Sequence, residues 1–424
     1  MSIKAEKLLR EAKHIIDKIN KSHSNALINF DEHLVMNRLE NLEIPKDSNI
    51  AGEFIVIKDV FDMKGLLTSN GTLYGENQLF PEKSAFIIEQ LEELGAIIIA
   101  KSNMYEYSLG VTSENETYGN VINPLNQYIT AGGSSSGSAV CVAEGIVSFA
   151  IGTDTSGSTR IPASCNGVVG FKLGYNPLYL GGMTTISKEL DHIGVITKTV
   201  QDCQRLFYTL NHLKVKANSE NKPTIGVPNA FFNEGNDETI NNMMSFAYHV
   251  LQAIGYEIVE IDTSFLMSFD PLKVSRTIGT KDISRTAYER EKKGLYPSER
   301  IVSINKQGAS ISNDDYNDAL DKKLYITQKF NELFSDVDVI LTPVMPIVTP
   351  FVNQAYINIH HKEDISDVMV QYTNVFNLTG HPAMSIPSGY YARKISQGIQ
   401  LIVNNNNEHI LFDVANSYEH YIEE

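Results

Sequence analysis

The sequence predicts an α/β fold, read as one domain of two lobes spanning residues 1–424. Three observations carry that prediction. Short apolar strands alternate with amphipathic helices along the whole chain. A 42% hydrophobic, 20% charged composition over 424 residues is enough to bury a sizeable core, which excludes a disordered chain or a disulfide scaffold. The stretch joining the halves shows no composition shift. At about 150 residues per domain the length alone would suggest two or three domains, but large α/β domains also run long.

The elements follow in order. The amino-terminal stretch MSIKAEKLLREAKHIIDKIN sets Ala5, Leu8, Ala12, Ile15 and Ile19 on one helical face. It is charged from its fourth residue and has no apolar centre, so it reads as an amphipathic helix and not as a signal peptide. EFIVIK (53–58) reads as a buried strand. Pro81 opens a predicted helix, PEKSAFIIEQLEEL, with Ala85, Ile88 and Leu91 inward and Gly95 as its stop; AIIIA then forms a strand. That is a βαβ-like unit, which stacks into parallel or mixed sheets covered by helices. SGSAVCVAEG is a second helix and VSFAI (147–151) a strand. KVKANSENKP (214–223) reads as a surface linker. In the second half TIGVP, YEIVEI, DVILTP (338–343) and GIQLIV (398–403) are strands, 238–252 and 408–422 are helices, and Asn404 to Asn407 form a turn.

The net charge of −16 repels a phosphate backbone, so direct nucleic-acid binding is disfavoured. Cys141, Cys165 and Cys203 are too few and too scattered for a disulfide framework, and no Cys/His cluster has zinc spacing. The pair His360-His361 sits in a polar stretch and reads as solvated. No run approaches a membrane-spanning length. The expectation is a cytoplasmic, globular protein without a zinc-type metal cluster or a membrane-spanning helix.

Three places could carry chemistry. AGGSSSGS (131–138) is dense in small residues. It lacks the P-loop pattern, and although Gly133-Ser134-Ser135-Ser136-Gly137 fits GxSxG, the turn-like NPLNQYIT precedes it where a nucleophile elbow needs a strand. A flexible surface loop is the plain alternative. The segment Gly152 to Arg160 does leave a hydrophobic strand directly, and so exposes successive backbone N–H groups suited to an oxyanion. Its plain alternative is a strand-end turn with Asp154 and Arg160 as a local ion pair. Lys58 ends an apolar strand; it is either solvated there or, if buried, a potential base. Chain lengths join the three. A helix of about 11 residues runs out roughly 16 Å from Ser134, and a strand of about 5 residues returns roughly 17 Å. Ser158 is thereby brought back level with Ser134, past the carboxyl end of its strand, where open α/β sheets place ligand sites. Two serines, one lysine and a row of amides could form a nucleophilic site without histidine.

Lys58-Asp59 within IVIKDVFDMKG, AGGSSSGSAVCVAEG and IGTDTSGSTRIPASCNGVVGFK closely resemble the amidase signature family. The likeness is strongest over 51–210 and continues more weakly through DVILTPVMP and NLTGHPAMSIPSG. The resemblance implies an α/β/α sandwich around a large, mixed, twisted sheet, no cofactor, and a Ser–Ser–Lys triad. In it Ser158 would be the nucleophile, Ser134, beside an unusual cis peptide, the bridging serine, and Lys58 the base. The N–H groups of Thr155, Ser156, Gly157 and Ser158 would form the oxyanion hole. Ser136 and Ser156 stand where glycine is common. The implied reaction is hydrolysis of a small-molecule carboxylic amide to carboxylate plus ammonia or amine, with substrate specificity in a variable lobe over about 214–335, and a homodimer is compatible with it. The alternatives are the glutamine-hydrolysing A subunit of a tRNA-dependent amidotransferase, an allophanate-type hydrolase, and a silent binding protein of the same fold. The region 270–335 does not resemble the glutamine-binding part of such an amidotransferase. Ser303-Ile304-Asn305-Lys306 matches SxxK, a frequent accident without its KTG partner.

Overall fold

The computed structural model describes residues 3–40, 45, 48–72, 80–213, 222–292, 299–358, 362–391 and 394–423. Most of the predicted linker, 214–221, and His360-His361 lie outside the described residues. Among the described residues there are thirteen strands: β1 Leu27–Phe30, β2 Phe54–Lys58, β3 Ile97–Ser102, β4 Phe149–Asp154, β5 Val169–Lys172, β6 His192–Thr197, β7 Ile225–Pro228, β8 Ile258–Ile261, β9 Val339–Pro343, β10 Tyr356–Asn358, β11 Lys362–Asp364, β12 Ala383–Tyr391 and β13 Ile395–Val403. Eleven of them make one sheet in the order β1-β3-β2-β4-β6-β5-β12-β13-β9-β7-β8, while β10 and β11 pair separately. The flanks β3-β2-β4 and β9-β7-β8 are parallel and the middle is antiparallel, so the sheet is mixed. The helix Phe86–Glu93 joins the parallel pair β2 and β3, and the helix Glu238–Ile254 joins β7 and β8, each a βαβ unit.

Strand alternation accounts for the layers. Ile55, Ile57, Phe149, Ile151 and Val195 point to one core, which they share with the helices Phe86–Glu93, Val200–Leu210, Glu238–Ile254 and Glu408–Glu423. Phe54, Val56, Ala150 and Ile196 point to the other, with Leu8, Ala12 and Ile15 of the helix Ile3–Lys21 and with Ala139, Val140 and Val142 of the helix Ser136–Ala143. A sheet buried on both faces by helices is the α/β/α sandwich. Ile19 packs partly buried on the same face as predicted, while the side chain of Ala5 lies outside the described set.

Several bounds differ from the sequence reading. The helix predicted from Pro81 begins at Phe86, because the residues before it are engaged elsewhere. The Ser84 hydroxyl accepts from Lys64 N–H at 3.1 Å, Ala85 N–H donates to the Asp62 carbonyl at 2.7 Å, and Phe86 N–H donates to Gly181. The helix after the serine loop begins at Ser136 as predicted and ends two residues early, at Ala143, because Gly145 turns the chain out of the helix at φ +65°. The strand read as 147–151 runs Phe149–Asp154, because Gly152, Thr153 and Asp154 keep pairing with Gly194, Ile193 and His192. Strands β1, β5, β6, β10, β11 and β12 have no counterpart in the sequence reading; β5 and β12 carry Lys172 and Pro387, residues that suggest loop. Pro387 sits where the β12–β13 register shifts, a position that tolerates its missing donor.

Among the described residues no helix is long and apolar enough to cross a membrane. Likewise no group of three or more His, Cys, Asp or Glu residues could hold a metal ion. The three cysteines are free and buried.

Phe171 is fully buried and meets Phe207 and Phe412 edge-on, with ring centroids 5.7 and 5.4 Å away. Phe171→Ala should cost about 3–5 kcal/mol, read as a lowered urea midpoint with an unchanged slope; a loss under about 1 kcal/mol would show that the two rings close over the gap.

Candidate active site

The carboxyl ends of the parallel neighbours β2 and β4 open next to each other, and the serine loop crosses in front of them. Gly152 of β4 permits that crossing: a Cβ there would lie 2.7 Å from Ser135 Oγ. Lys58, the last residue of β2, is fully buried. Its Nζ lies 2.7 Å from Ser134 Oγ and 2.8 Å from Thr153 Oγ1. Burial lowers the lysine's pKa to about 7, against the opposing pull of Asp154 and Asp191. The Gly133–Ser134 peptide is cis. Ser135 N–H donates to the Ser158 carbonyl at 3.1 Å, so the loop holding Ser134 and the turn holding Ser158 are hydrogen-bonded together. Ser158 is 3% exposed and, with Thr155 and Ser156, lines a cavity of about 1030 Å³.

The turn after β4 is organised by one carboxylate. Asp154 accepts from the N–H groups of Gly157 (2.8 Å) and Thr159 (3.2 Å), from Arg160 Nε (3.0 Å) and Nη2 (2.8 Å), and from Asn377 Nδ2 (2.9 Å). Arg160 also reaches Gln400 of β13 and Asn377, and both members of the ion pair have 0% exposure. Burial alone would raise the Asp154 pKa; the charge and hydrogen bonds of Arg160 overcome it and hold the carboxyl well below the usual range. The local ion pair and the row of amides are alternatives in the sequence, yet the folded turn contains both. Its amides are not equivalent, however. Gly157 N–H is spent on Asp154, which makes it a brace of the turn and leaves Thr155, Ser156 and Ser158 as candidate donors. Gly157 has φ +129°, and a Cβ on it would sit 2.3 Å from Thr373 Oγ1, so only glycine fits.

Other sequence readings resolve plainly. Ser135, the centre of the GxSxG match, is fully buried, and its hydroxyl donates to the Thr153 carbonyl at 3.2 Å, so it ties the loop to β4. Ser303 lines the far side of the cavity, on the helix Glu299–Ser310. Four further residues belong to the site and are absent from the sequence reading. Thr153 is the second acceptor of Lys58. Thr373 Oγ1 donates to the Ser156 carbonyl, and Asn377 Nδ2 to the Asp154 carbonyl. Asp191 is 1% exposed and accepts from Thr155 Oγ1 at 2.8 Å and from Ile186 N–H at 2.7 Å. Burial raises its pKa to about 7, against those hydrogen bonds and the charge of Lys58. A signal exists for Asp191 and for Asn377, since both lie in distinctive stretches, LDHIGVITKT and NLTGHP.

A family model described as Amidase matches residues 7–412. The chain belongs to the amidase signature family. Among curated relatives, the A subunit of the glutamyl-tRNA(Gln) amidotransferase of Methanospirillum hungatei JF-1 is 29% identical over 414 residues, covering 88% of this chain and 93% of the relative. The corresponding A subunit from Prochlorococcus marinus subsp. pastoris is 30% identical over 417 residues, 88% of this chain and 84% of the relative. Among solved structures, an amidase crystal structure superposes with a TM-score of 0.86 at 27% identity, over 98% of this chain and 94% of that one. A 6-aminohexanoate cyclic dimer hydrolase, at 0.85 and 21% identity over 97% and 92% of the two chains, shares the fold.

Arg160→Met should leave Asp154 buried without its counter-charge and destabilise the protein by about 3–5 kcal/mol. Thermal or urea unfolding checks this, and a loss under about 1 kcal/mol would mean that Asn377 and the turn amides suffice.

Proposed function

We propose that this protein hydrolyses a small-molecule carboxylic amide through an acyl-enzyme on Ser158, with Ser134 as relay and Lys58 as base. The observation that carries the reading is the 2.7 Å approach of the buried Lys58 Nζ to Ser134 Oγ, in a loop hydrogen-bonded to Ser158. A neutral lysine keeps an N–H for Thr153 Oγ1 and turns its lone pair toward Ser134. Lys58 takes the Ser134 proton, Ser134 takes that of Ser158, and the Ser158 oxygen bonds to the amide carbon. The oxyanion rests on amides of Thr155, Ser156 and Ser158; such donors contribute roughly 3–4 kcal/mol each in comparable sites. Collapse breaks the C–N bond, and the proton on Lys58 returns through Ser134 to the departing nitrogen. Water then attacks the ester by the same relay and releases the carboxylate. Nucleophile, base and donors all come from the chain, so the proposed reaction requires no cofactor, and residues 51–210 supply all of them. The setting that fits it is cytoplasmic.

A second reading, an amidotransferase A subunit that releases ammonia from glutamine, is favoured by the names of the curated relatives at 28–30% identity. Glutaminase assay of the isolated chain, with succinamide and hexanamide beside it, separates the two.

Ser158→Ala should abolish amide hydrolysis and leave the unfolding midpoint within about 0.5 kcal/mol of wild type. Mass spectrometry after treatment with a fluorophosphonate should place the adduct on Ser158. An adduct on Ser135 would revive the nucleophile-elbow assignment and remove this one.

The active form of Lys58 is neutral, so kcat/KM on an amide should rise with pH and reach half its plateau near the lysine's depressed value of about 7. Lys58→Ala should flatten that limb and lose more amide than activated-ester turnover, since an activated leaving group departs without a proton. An unchanged acidic limb in the variant would transfer the role of base to another group.

A further inference from the structure

The cavity in front of Ser158 is lined by aliphatic, hydroxyl-bearing and charged side chains, of which the charged ones are clustered. Val111, Ile186, Leu190, Leu272, Ile283 and Val370 line it from four separate segments. Val111 and Val370 belong to the same packed cluster as Ile161, one turn beyond the nucleophile position, so an aliphatic patch lies close to Ser158, beside the hydroxyl-bearing Thr155 and Ser156. Charged side chains on the lining are confined to 270–276 and 364–367, with three carboxylates, Asp270, Asp364 and Asp367, against two cations, Lys273 and Arg276. Arg276 is already committed: its Nη1 donates to Asp367 Oδ2 at 2.7 Å and its Nη2 pairs with Asp367 Oδ1. Asp364 and Asp270 add to the negative field around it. Lys273 is exposed at the rim. A neighbouring cavity of about 440 Å³ shares Asp270, Asp364 and Asp367 and adds Glu363, so the negative field continues outward.

We infer that the substrate is an amide whose acyl chain is uncharged and apolar, five or more carbons long, and that amides bearing a carboxylate, glutamine included, are refused. This rests on the hydrolytic reading of Ser158. An acyl chain of that kind buries methylenes against the aliphatic wall, and a volume near 1030 Å³ accommodates a drug-sized molecule. A carboxylate on the substrate would find Arg276 already held by Asp367 and would face three carboxylates against the one further cation, the exposed Lys273. Like-charge juxtaposition of that sort is how a site rejects a wrong partner.

The test measures kcat/KM of the full-length chain on straight-chain primary amides from acetamide to octanamide, on adipamate (hexanamide's chain ending in a carboxylate) and on glutamine. Each added methylene should raise kcat/KM roughly threefold to fivefold until the wall is covered. Hexanamide should exceed adipamate by about a hundredfold or more. The double variant Asp270→Asn, Asp367→Asn, which frees Arg276, should narrow that gap by about tenfold. Adipamate or glutamine turned over as well as hexanamide overturns the inference, as does a flat chain-length series. Alkyl and carboxyalkyl fluorophosphonates supply the independent readout. Labelling of Ser158 at rates blind to the tail rejects the inference alone, while neither labelling nor amide turnover rejects the hydrolytic reading together with it.

Discussion

A carboxylate removed from water is costly unless its lone pairs are filled, and Asp154 is fully buried at the end of β4. The donors that fill it come from far apart in the chain. Gly157, Thr159 and Arg160 lie in its own turn, and Asn377 comes from the helix Thr373–Thr379. Arg160 in turn requires Gln400 on β13, near the middle of the sheet. The turn that presents Thr155 to Ser158 is therefore held by the two halves of the sequence jointly. That dependence explains why short polar motifs near the carboxyl terminus accompany a site whose proposed reacting groups all lie before residue 160.

Three lysines, Lys58, Lys101 and Lys172, are completely buried, and burial lowers the pKa of each. Their surroundings differ in what they ask of the amine. Lys101 faces Asp59 at 3.5 Å and donates to Thr68 Oγ1, so its charge is matched and the ion pair braces the loop after β2. Lys172 donates to the His381 carbonyl at 2.6 Å, a partner with no proton to give. Of the three, Lys58 is the one with two hydroxyls as neighbours, those of Ser134 and Thr153. A hydroxyl can donate as readily as accept, so Lys58 can pass between protonated and neutral states without stranding a partner. Low proton affinity is common to all three; what distinguishes Lys58, the proposed base, is that both of its hydrogen-bond partners are hydroxyls.

Much of this is legible in the sequence wherever a residue's surroundings are local. The strands EFIVIK and AIIIA declare themselves by apolar runs, and the helix and strand between Ser134 and Ser158 have lengths that fold the chain back on itself. Lys58 and Ser158 can be singled out because each ends or follows such a run, and Ser134 because it sits in the small-residue stretch AGGSSSGS. What the sequence does not reveal depends on partners distant along the chain. Thr153 and Asp154 look like the start of a loop, since the β6 pairing and the Asn377 side chain that complete their burial, and Gln400 beyond Arg160, lie far along the chain. Lys172 and Pro387 read as strand breakers for the same reason. The start of the helix at Phe86 is set by Asp62 and Gly181, which no local pattern announces.

Asp191 shows how tightly the proposed chemistry and the architecture are joined. Its carboxyl is held by Thr155 Oγ1 and by the amides of Ile186 and Ser187, so it pins the amide-bearing turn to the segment that lines the cavity with Ile186 and Leu190. The same group lies close enough to Lys58 to favour its protonated form, while burial favours the neutral one. Burial outweighs the carboxylates and brings the pKa to about 7, so both forms are populated near neutral pH, which is the condition the proposed proton relay needs: a lysine that takes a proton from Ser134 and can still give it back. Deeper desolvation without Asp154 and Asp191 would make Lys58 too weak a base, and a direct ion pair of the Lys101 kind would keep it charged. The amine bonds to the hydroxyls of Ser134 and Thr153, while Asp154 and Asp191 act on it through their charge, and this holds it between those limits.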